Sequence, residues 1–159
     1  MAGPDNGNLL LTDNATDSPQ SVTLTGRGTA PAVTLSQTSL DFGTVPAGTT
    51  SAPQNVTLTN TGDAPLDLTS IDVDNADFQQ NNNCPLDPST LGPGLSCSIT
   101  VTVMPASDAG ESATISVTDN ALDSPQPVTA VVNGGQGPVR PTRTESRTLP
   151  TPRQIPPKP

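Results

Sequence analysis

Cys84 and Cys97 are the two cysteines of the chain, with 12 residues between them. Pro85, Pro88, Gly92, Pro93 and Gly94 fall in that interval and exclude a helix there. The loop brings two strand ends together, so the chemistry expected of the pair is a disulfide. Closing a loop of this size stabilises a fold by about 3 kcal/mol in the chain-entropy view. A bridge implies an oxidising compartment. Two cysteines without a single His do not compose a zinc site.

Asp72, Asp74 and Asp77 form the other cluster, Asp-Val-Asp-Asn-Ala-Asp. An EF-hand loop needs Gly at its sixth position and Glu at its twelfth, where this chain has Asp77 and Asn83. A solvated strand end is the expectation. The chain has no His, Trp or Tyr. That removes the ordinary general base near neutral pH and the Ser/His and Cys/His nucleophile pairs. It also leaves no aromatic wall to raise a carboxylic acid's pKa for glycoside hydrolysis. The expectation is a protein that is not an enzyme and uses no cofactor and no metal. Asn14-Ala15-Thr16 and Asn55-Val56-Thr57 are formal glycosylation sequons, frequent by chance in a Thr-rich chain.

The elements that must position these residues are strands. Of 159 residues 31% are hydrophobic, and Phe42 and Phe78 are the only aromatics. A core must be thin and aliphatic, and abundant Thr with Val favours strands over helices. No apolar run approaches the ~20 residues that span a bilayer. Met1-Ala2-Gly3-Pro4-Asp5 has neither a basic n-region nor an apolar h-region, so no signal peptide is expected at this start. Charge is unevenly placed: residues 28–139 hold 11 acids and no Lys or Arg, while residues 138–159 hold five cations against Glu145. An acidic body repels phosphates, so nucleic acid is excluded as a partner of the body.

An internal repeat organises the chain. Thr12-Asp13-Asn14-Ala15 recurs as Thr118-Asp119-Asn120-Ala121, Asp17-Ser18-Pro19-Gln20 as Asp123-Ser124-Pro125-Gln126, and Val22-Thr23 as Val128-Thr129. Every pair has the offset 118 − 12 = 106, the size of one immunoglobulin-type sandwich. Residues 1–29 therefore read as a half-repeat: the last hairpin of a preceding unit, with Asn8–Thr12 and Ser21–Thr25 as strands and the rest of that unit missing. Residues 30–137 form the complete unit.

Within it Val33–Leu35 and Ser39–Phe42 read as a split first strand, followed by Asn55–Asn60 and by Leu66–Val73, whose apolar register slips near Ser70 and predicts a bulge. Ser98–Met104 alternates throughout, and Ala113–Val117 and Val128–Val132 close the set. From Pro138 the alternation stops. Seven of the last 22 residues are Pro, so 138–159 reads as a basic, Pro-rich tail of polyproline II type.

Three stretches carry a resemblance: Leu40-Asp41-Phe42-Gly43-Thr44-Val45-Pro46-Ala47-Gly48; Val56-Thr57-Leu58-Thr59-Asn60-Thr61-Gly62 with Pro65-Leu66; and Cys84 through Leu91-Gly92-Pro93-Gly94-Leu95-Ser96-Cys97-Ser98-Ile99-Thr100-Val101. Asn75-Ala76-Asp77-Phe78 and Thr118 through Pro125 belong to the same pattern. Together they resemble the Hydin-like (ASH) immunoglobulin-type domains, more closely the bacterial version in "choice-of-anchor D" surface proteins. The resemblance implies an all-β, immunoglobulin-like seven-stranded β-sandwich without catalysis, repeated in large exported proteins. Its eukaryotic relatives are cytoskeletal and ciliary, which keeps an intracellular scaffold as an alternative.

The function expected is an extracellular or cell-surface structural module that assembles head-to-tail into a filament or coat. Leu9, Leu10, Leu11, Val22 and Leu24 of the hairpin are the candidate assembly residues, with Arg140, Arg143, Arg147 and Arg153 of the tail lying on an acidic body. The partner is then the protein itself, with other cell-surface proteins or polysaccharide as further candidates. A monomeric adhesive bead from a longer repeat protein is the other extracellular reading.

Overall fold

The computed structural model describes residues 3–135, and the tail, with its four candidate arginines, lies outside the described residues. The described chain is all strand and turn. The hairpin is β1 (Gly3–Leu11) and β2 (Gln20–Gly28), a two-stranded antiparallel sheet by itself. The sandwich follows as β3 (Val33–Leu35), β4 (Ser39–Val45), β5 (Gln54–Asn60), β6 (Leu68–Val73), β7 (Phe78–Asn82), β8 (Ser96–Val103), β9 (Glu111–Asp119) and β10 (Gln126–Gly134). One sheet has the order β4-β10-β9-β6 and the other β3-β5-β8-β7. With β3 and β4 taken as halves of one strand, this is a seven-stranded immunoglobulin-like sandwich.

The split first strand divides between the two sheets. Ser36 donates its amide to the Thr57 carbonyl of β5 at 2.9 Å, and its hydroxyl oxygen accepts the Thr57 amide at 2.9 Å. Two residues on, the Thr38 carbonyl accepts the Thr129 amide of β10 at 2.9 Å. The chain thus crosses between sheets at Ser36–Thr38. β4 then runs parallel to β10, while every other strand-to-strand pairing among the described residues is antiparallel. The expected slip in the sixth strand is a register shift between Leu68 and Ser70 where β6 pairs β9.

Strand β7 contains Phe78-Gln79-Gln80-Asn81-Asn82, a polar sequence with little strand preference. Tertiary ties hold it. Gln80 donates to the Ile71 carbonyl of the opposite sheet at 2.9 Å, the Asn82 side chain accepts the Cys84 amide at 3.1 Å, and Asn83 accepts the Ser98 amide at 2.7 Å.

The core is aliphatic. Leu40, Val56, Leu58, Leu66, Leu68, Ile99, Val101, Ile115, Val117 and Val128 are buried between the sheets. Phe42 and Phe78 meet edge to face with centroids 6.1 Å apart. Cys84 and Cys97 are bonded to one another, with Cα atoms 4.9 Å apart and both side chains in the core. The loop they close folds inward at Leu91, which exchanges backbone hydrogen bonds with Leu66 at 2.8 and 2.9 Å.

Candidate interaction surface

The hairpin and the last hairpin of the sandwich are the same structure at the offset of 106. Leu11 pairs with Gln20 as Val117 pairs with Gln126; Leu9 with Val22 as Ile115 with Val128; Gly7 with Leu24 as Ala113 with Ala130. Their turns share two side-chain bonds. The Asp13 amide donates to the Ser18 hydroxyl at 2.9 Å, as Asp119 does to Ser124 at 2.9 Å. The Ala15 amide donates to the Asp13 carboxylate at 2.8 Å, as Ala121 does to Asp119 at 2.7 Å. Identical Asx-turn chemistry explains why these residues recur together.

Burial separates the two copies. Ile115, Val117, Val128 and Ala130 are at most 1% exposed, whereas Leu9, Leu11, Val22 and Leu24 are 47–53% exposed. Pairing puts these four on one face. Leu10 pairs with Ser21 and stands on the opposite face, so the five expected assembly residues divide four to one.

The hairpin is fastened to the sandwich at one corner. Arg27, the single cation in residues 1–139, donates from Nη2 to Asp63 Oδ2 at 2.6 Å. Asp63 Oδ1 accepts the Ala30 amide at 3.0 Å. The Ala30 amide first, and then the Arg27 charge, hold the Asp63 carboxyl below its ordinary value. Behind them the Asp63 and Thr61 amides donate to the Ala30 and Ala32 carbonyls at 3.1 and 2.8 Å. Gly62 passes so close to the backbone of residues 30–32 that a Cβ would collide with it.

Asn60 underlies this corner and is fully buried. Its side chain donates to the carbonyls of Ala64 and Leu91 at 2.8 and 2.9 Å and accepts the amides of Gly62 and Ala32 at 3.0 and 3.4 Å. The Asn-Thr-Gly-Asp run is thus a joint between hairpin and sandwich. The sequence alone gives no sign of this joint beyond Arg27, the lone cation in a stretch otherwise acidic.

Two acids of the Asp72, Asp74 and Asp77 cluster are engaged in backbone ties. Asp74 accepts the Thr114 amide at 2.7 Å, and Asp77 accepts the Ala106 amide at 2.7 Å. Among the described residues no group of three or more acidic or cysteine side chains is placed to hold a metal ion. An open groove of about 600 Å³ between β3 and β10 is lined by Val33, Thr34, Leu35, Thr38, Gln126, Pro127 and Thr129, none of them ionisable. Asp119, the last residue of β9, is raised above the ordinary carboxylate value by burial.

Topology and the split first strand together define an immunoglobulin-type sandwich. A family model described as HYDIN/CFA65/VesB-like, Ig-like domain matches residues 31–135, and the chain belongs to that family. No curated protein matches the chain. A crystal structure of a protein of unknown function from Porphyromonas gingivalis W83 is similar over 82% of this chain and 66% of its own, at 20% identity and a TM-score of 0.55. The ASH/PapD-like domain 7 of human CEP192 aligns over 69% of this chain and 89% of its own, at 15% identity and a TM-score of 0.49. The secreted serine protease VesC from Vibrio cholerae aligns over 65% of this chain, at 17% identity and a TM-score of 0.47. The chain spans 23% of VesC's length. Likeness at these identities shows the fold alone.

Proposed function

We propose that this chain is a non-catalytic structural module outside the cell, set end to end with like units in a surface filament or coat of the choice-of-anchor D kind. Its N-terminal hairpin is the joining element. The observation that carries this reading is the half-exposed apolar face of Leu9, Leu11, Val22 and Leu24, presented on a hairpin that Arg27 and Asp63 fasten to the sandwich. Contiguous apolar surface of this sort marks an interaction site. The buried Cys84–Cys97 bridge supports an oxidising location. The basic tail would add a salt-sensitive contact to the acidic body.

Light scattering with electron micrographs of the same sample tests the proposal. The full chain is expected to exceed its 16.1 kDa monomer mass as concentration rises, while residues 30–159 stay monomeric. Leu9→Ser with Leu24→Ser should abolish the growth and Leu10→Ser should spare it. A monomer at every concentration, with or without the hairpin, overturns the joining role and leaves a bead.

A further inference from the structure

We propose that a groove between the end of β4 and the β4–β5 loop is the seat of the chain's own proline-rich tail, with residues 138–143 as its occupant. The inference rests on the tail contact proposed above, names the site of that contact, and is independent of the hairpin. The groove has a volume of about 320 Å³, and Phe42, Thr44, Pro46, Thr49, Ser51 and Gln54 help to line it. None of its lining residues is ionisable.

The described chain ends at the mouth of this groove. Gly134 pairs with Val45 where β10 leaves β4. Gly135 is buried so close to Val45 and Pro46 that a Cβ there would press on their backbone. Pro138 follows three residues on. The larger groove, beside Gln126, opens at the other end of β10, roughly 27 Å up the strand at ~3.3 Å per residue.

The groove suits the sequence that emerges there. Pro138-Val139-Arg140-Pro141-Thr142-Arg143 has its prolines three apart and its arginines three apart. A polyproline II helix has three residues per turn, so in that form each pair shares a face. Prolines of such a segment dock in aromatic-lined grooves, because a preformed helix loses little entropy on binding. Phe42 supplies the ring, half-buried and packed edge to face on Phe78. A polyproline II backbone has no internal hydrogen bonds, and the exposed Thr44 and Thr50 bring hydroxyl donors to the groove for its carbonyls.

Charge places the arginines. Two exposed acids adjoin the groove: Asp41, whose carbonyl accepts Gln54 Nε2 at 2.7 Å, and Asp108, whose carboxylate accepts the Ala47 amide at 3.3 Å. Residues 28–139 contain no Lys or Arg, and the one ion pair among the described residues is Arg27–Asp63. Arg140 and Arg143 are the next cations along the chain, and a tether of a few residues gives them a high effective concentration at these acids. A tail seated in this way leaves the body in one direction, as a stiff spacer.

The test is NMR of the isotope-labelled full chain against the same chain ended at Gly137, which keeps every strand of the sandwich. In the full chain, nuclear Overhauser contacts are expected between the Phe42 ring and the ring protons of Pro138 or Pro141. The amides of Thr44, Thr49 and Ser51 and the Gln54 side chain should shift on truncation, equally at every protein concentration. Arg140→Glu with Arg143→Glu changes no residue of the sandwich. It should move these signals to their positions in the truncated chain and abolish the Overhauser contacts. Arg153→Glu with Lys158→Glu, the same change of charge further along, should leave them in place.

Superimposable groove signals in the full and truncated chains overturn the inference. So do shifts that grow with concentration, which assign the groove to another molecule's tail. Equal effects of the two double variants also overturn it, by reducing the contact to unplaced charge. Shifts confined to other parts of the acidic body overturn this site and leave the tail contact standing, while no shift anywhere overturns both. The joining role of the hairpin is read separately, from particle mass.

Discussion

Asp63 accepts the guanidinium of Arg27 at 2.6 Å across 36 residues of sequence, and this contact ties the hairpin to the sandwich. The pair is largely solvent-exposed, with Arg27 71% accessible, so it orients more than it stabilises. Arg27→Ala should leave the sandwich's melting temperature within about 2 °C, since exposed pairs contribute little. It should widen the range of hairpin angles, read by small-angle scattering or by separate tumbling times. Salt near 1 M, with a Debye length of about 3 Å, should widen it in the wild type as well. A joint that stays rigid in the variant would assign its rigidity to Gly62 and the backbone bonds behind it.

Two carboxylates give pH dependences of opposite sign. The Asp63 value is lowered in the folded protein, so its contribution is present above the unfolded value near 3.8 and is lost as pH falls through the folded value. The hairpin should loosen in that acid window. The Asp119 value is raised by burial, so its contribution is present below 3.8 and is lost as pH rises through the folded value. Asp119→Asn should flatten that part of the stability profile and raise the denaturation midpoint at pH 7. Chemical denaturation across pH 2–7 would check both.

Asn60 makes four hydrogen bonds from a fully buried side chain. Asn60→Ala strands the Leu91 carbonyl and neighbouring groups, at about 1–3 kcal/mol for each buried group left unpaired. A loss of at least ~2 kcal/mol in urea unfolding is expected. Asn60→Asp keeps the acceptor and loses both donors, so it should be nearly as damaging.

Cys84→Ala with Cys97→Ala opens the loop that brings Leu91 against Leu66. A loss of about 2–4 kcal/mol is expected, a large part of the stability of a small domain. The non-reduced wild-type mass should be ~2 Da below the reduced mass, the two hydrogens lost on forming one bond. Two titratable thiols in the native protein would contradict the bridge and weaken the extracellular reading.

Most of the sandwich was legible in the sequence because its strands write their own period. Ile99, Val101 and Val103 alternate with Ser98, Thr100 and Thr102, and the structure buries the apolar set. The bulge at Ser70 was visible as a slip in that period, and Pro and Gly between the cysteines fixed a loop. β7 was not legible. Gln80 and Asn82 hold their strand by reaching the Ile71 carbonyl and the Cys84 amide, contacts that no local preference encodes.

The repeat of Thr12–Thr23 at Thr118–Thr129 fixed, from the sequence alone, that the hairpin has the chemistry of a closing pair of strands. Only the tertiary structure decided what becomes of that chemistry. Leu9 and Ile115 occupy the same register in the same motif, yet one is 52% exposed and the other 1%. Alternation specifies which side of a strand is apolar, a property of the chain itself. Whether that side is covered depends on a second sheet packing onto it. The hairpin is a two-stranded sheet by itself, and among the described residues no second sheet covers its apolar face.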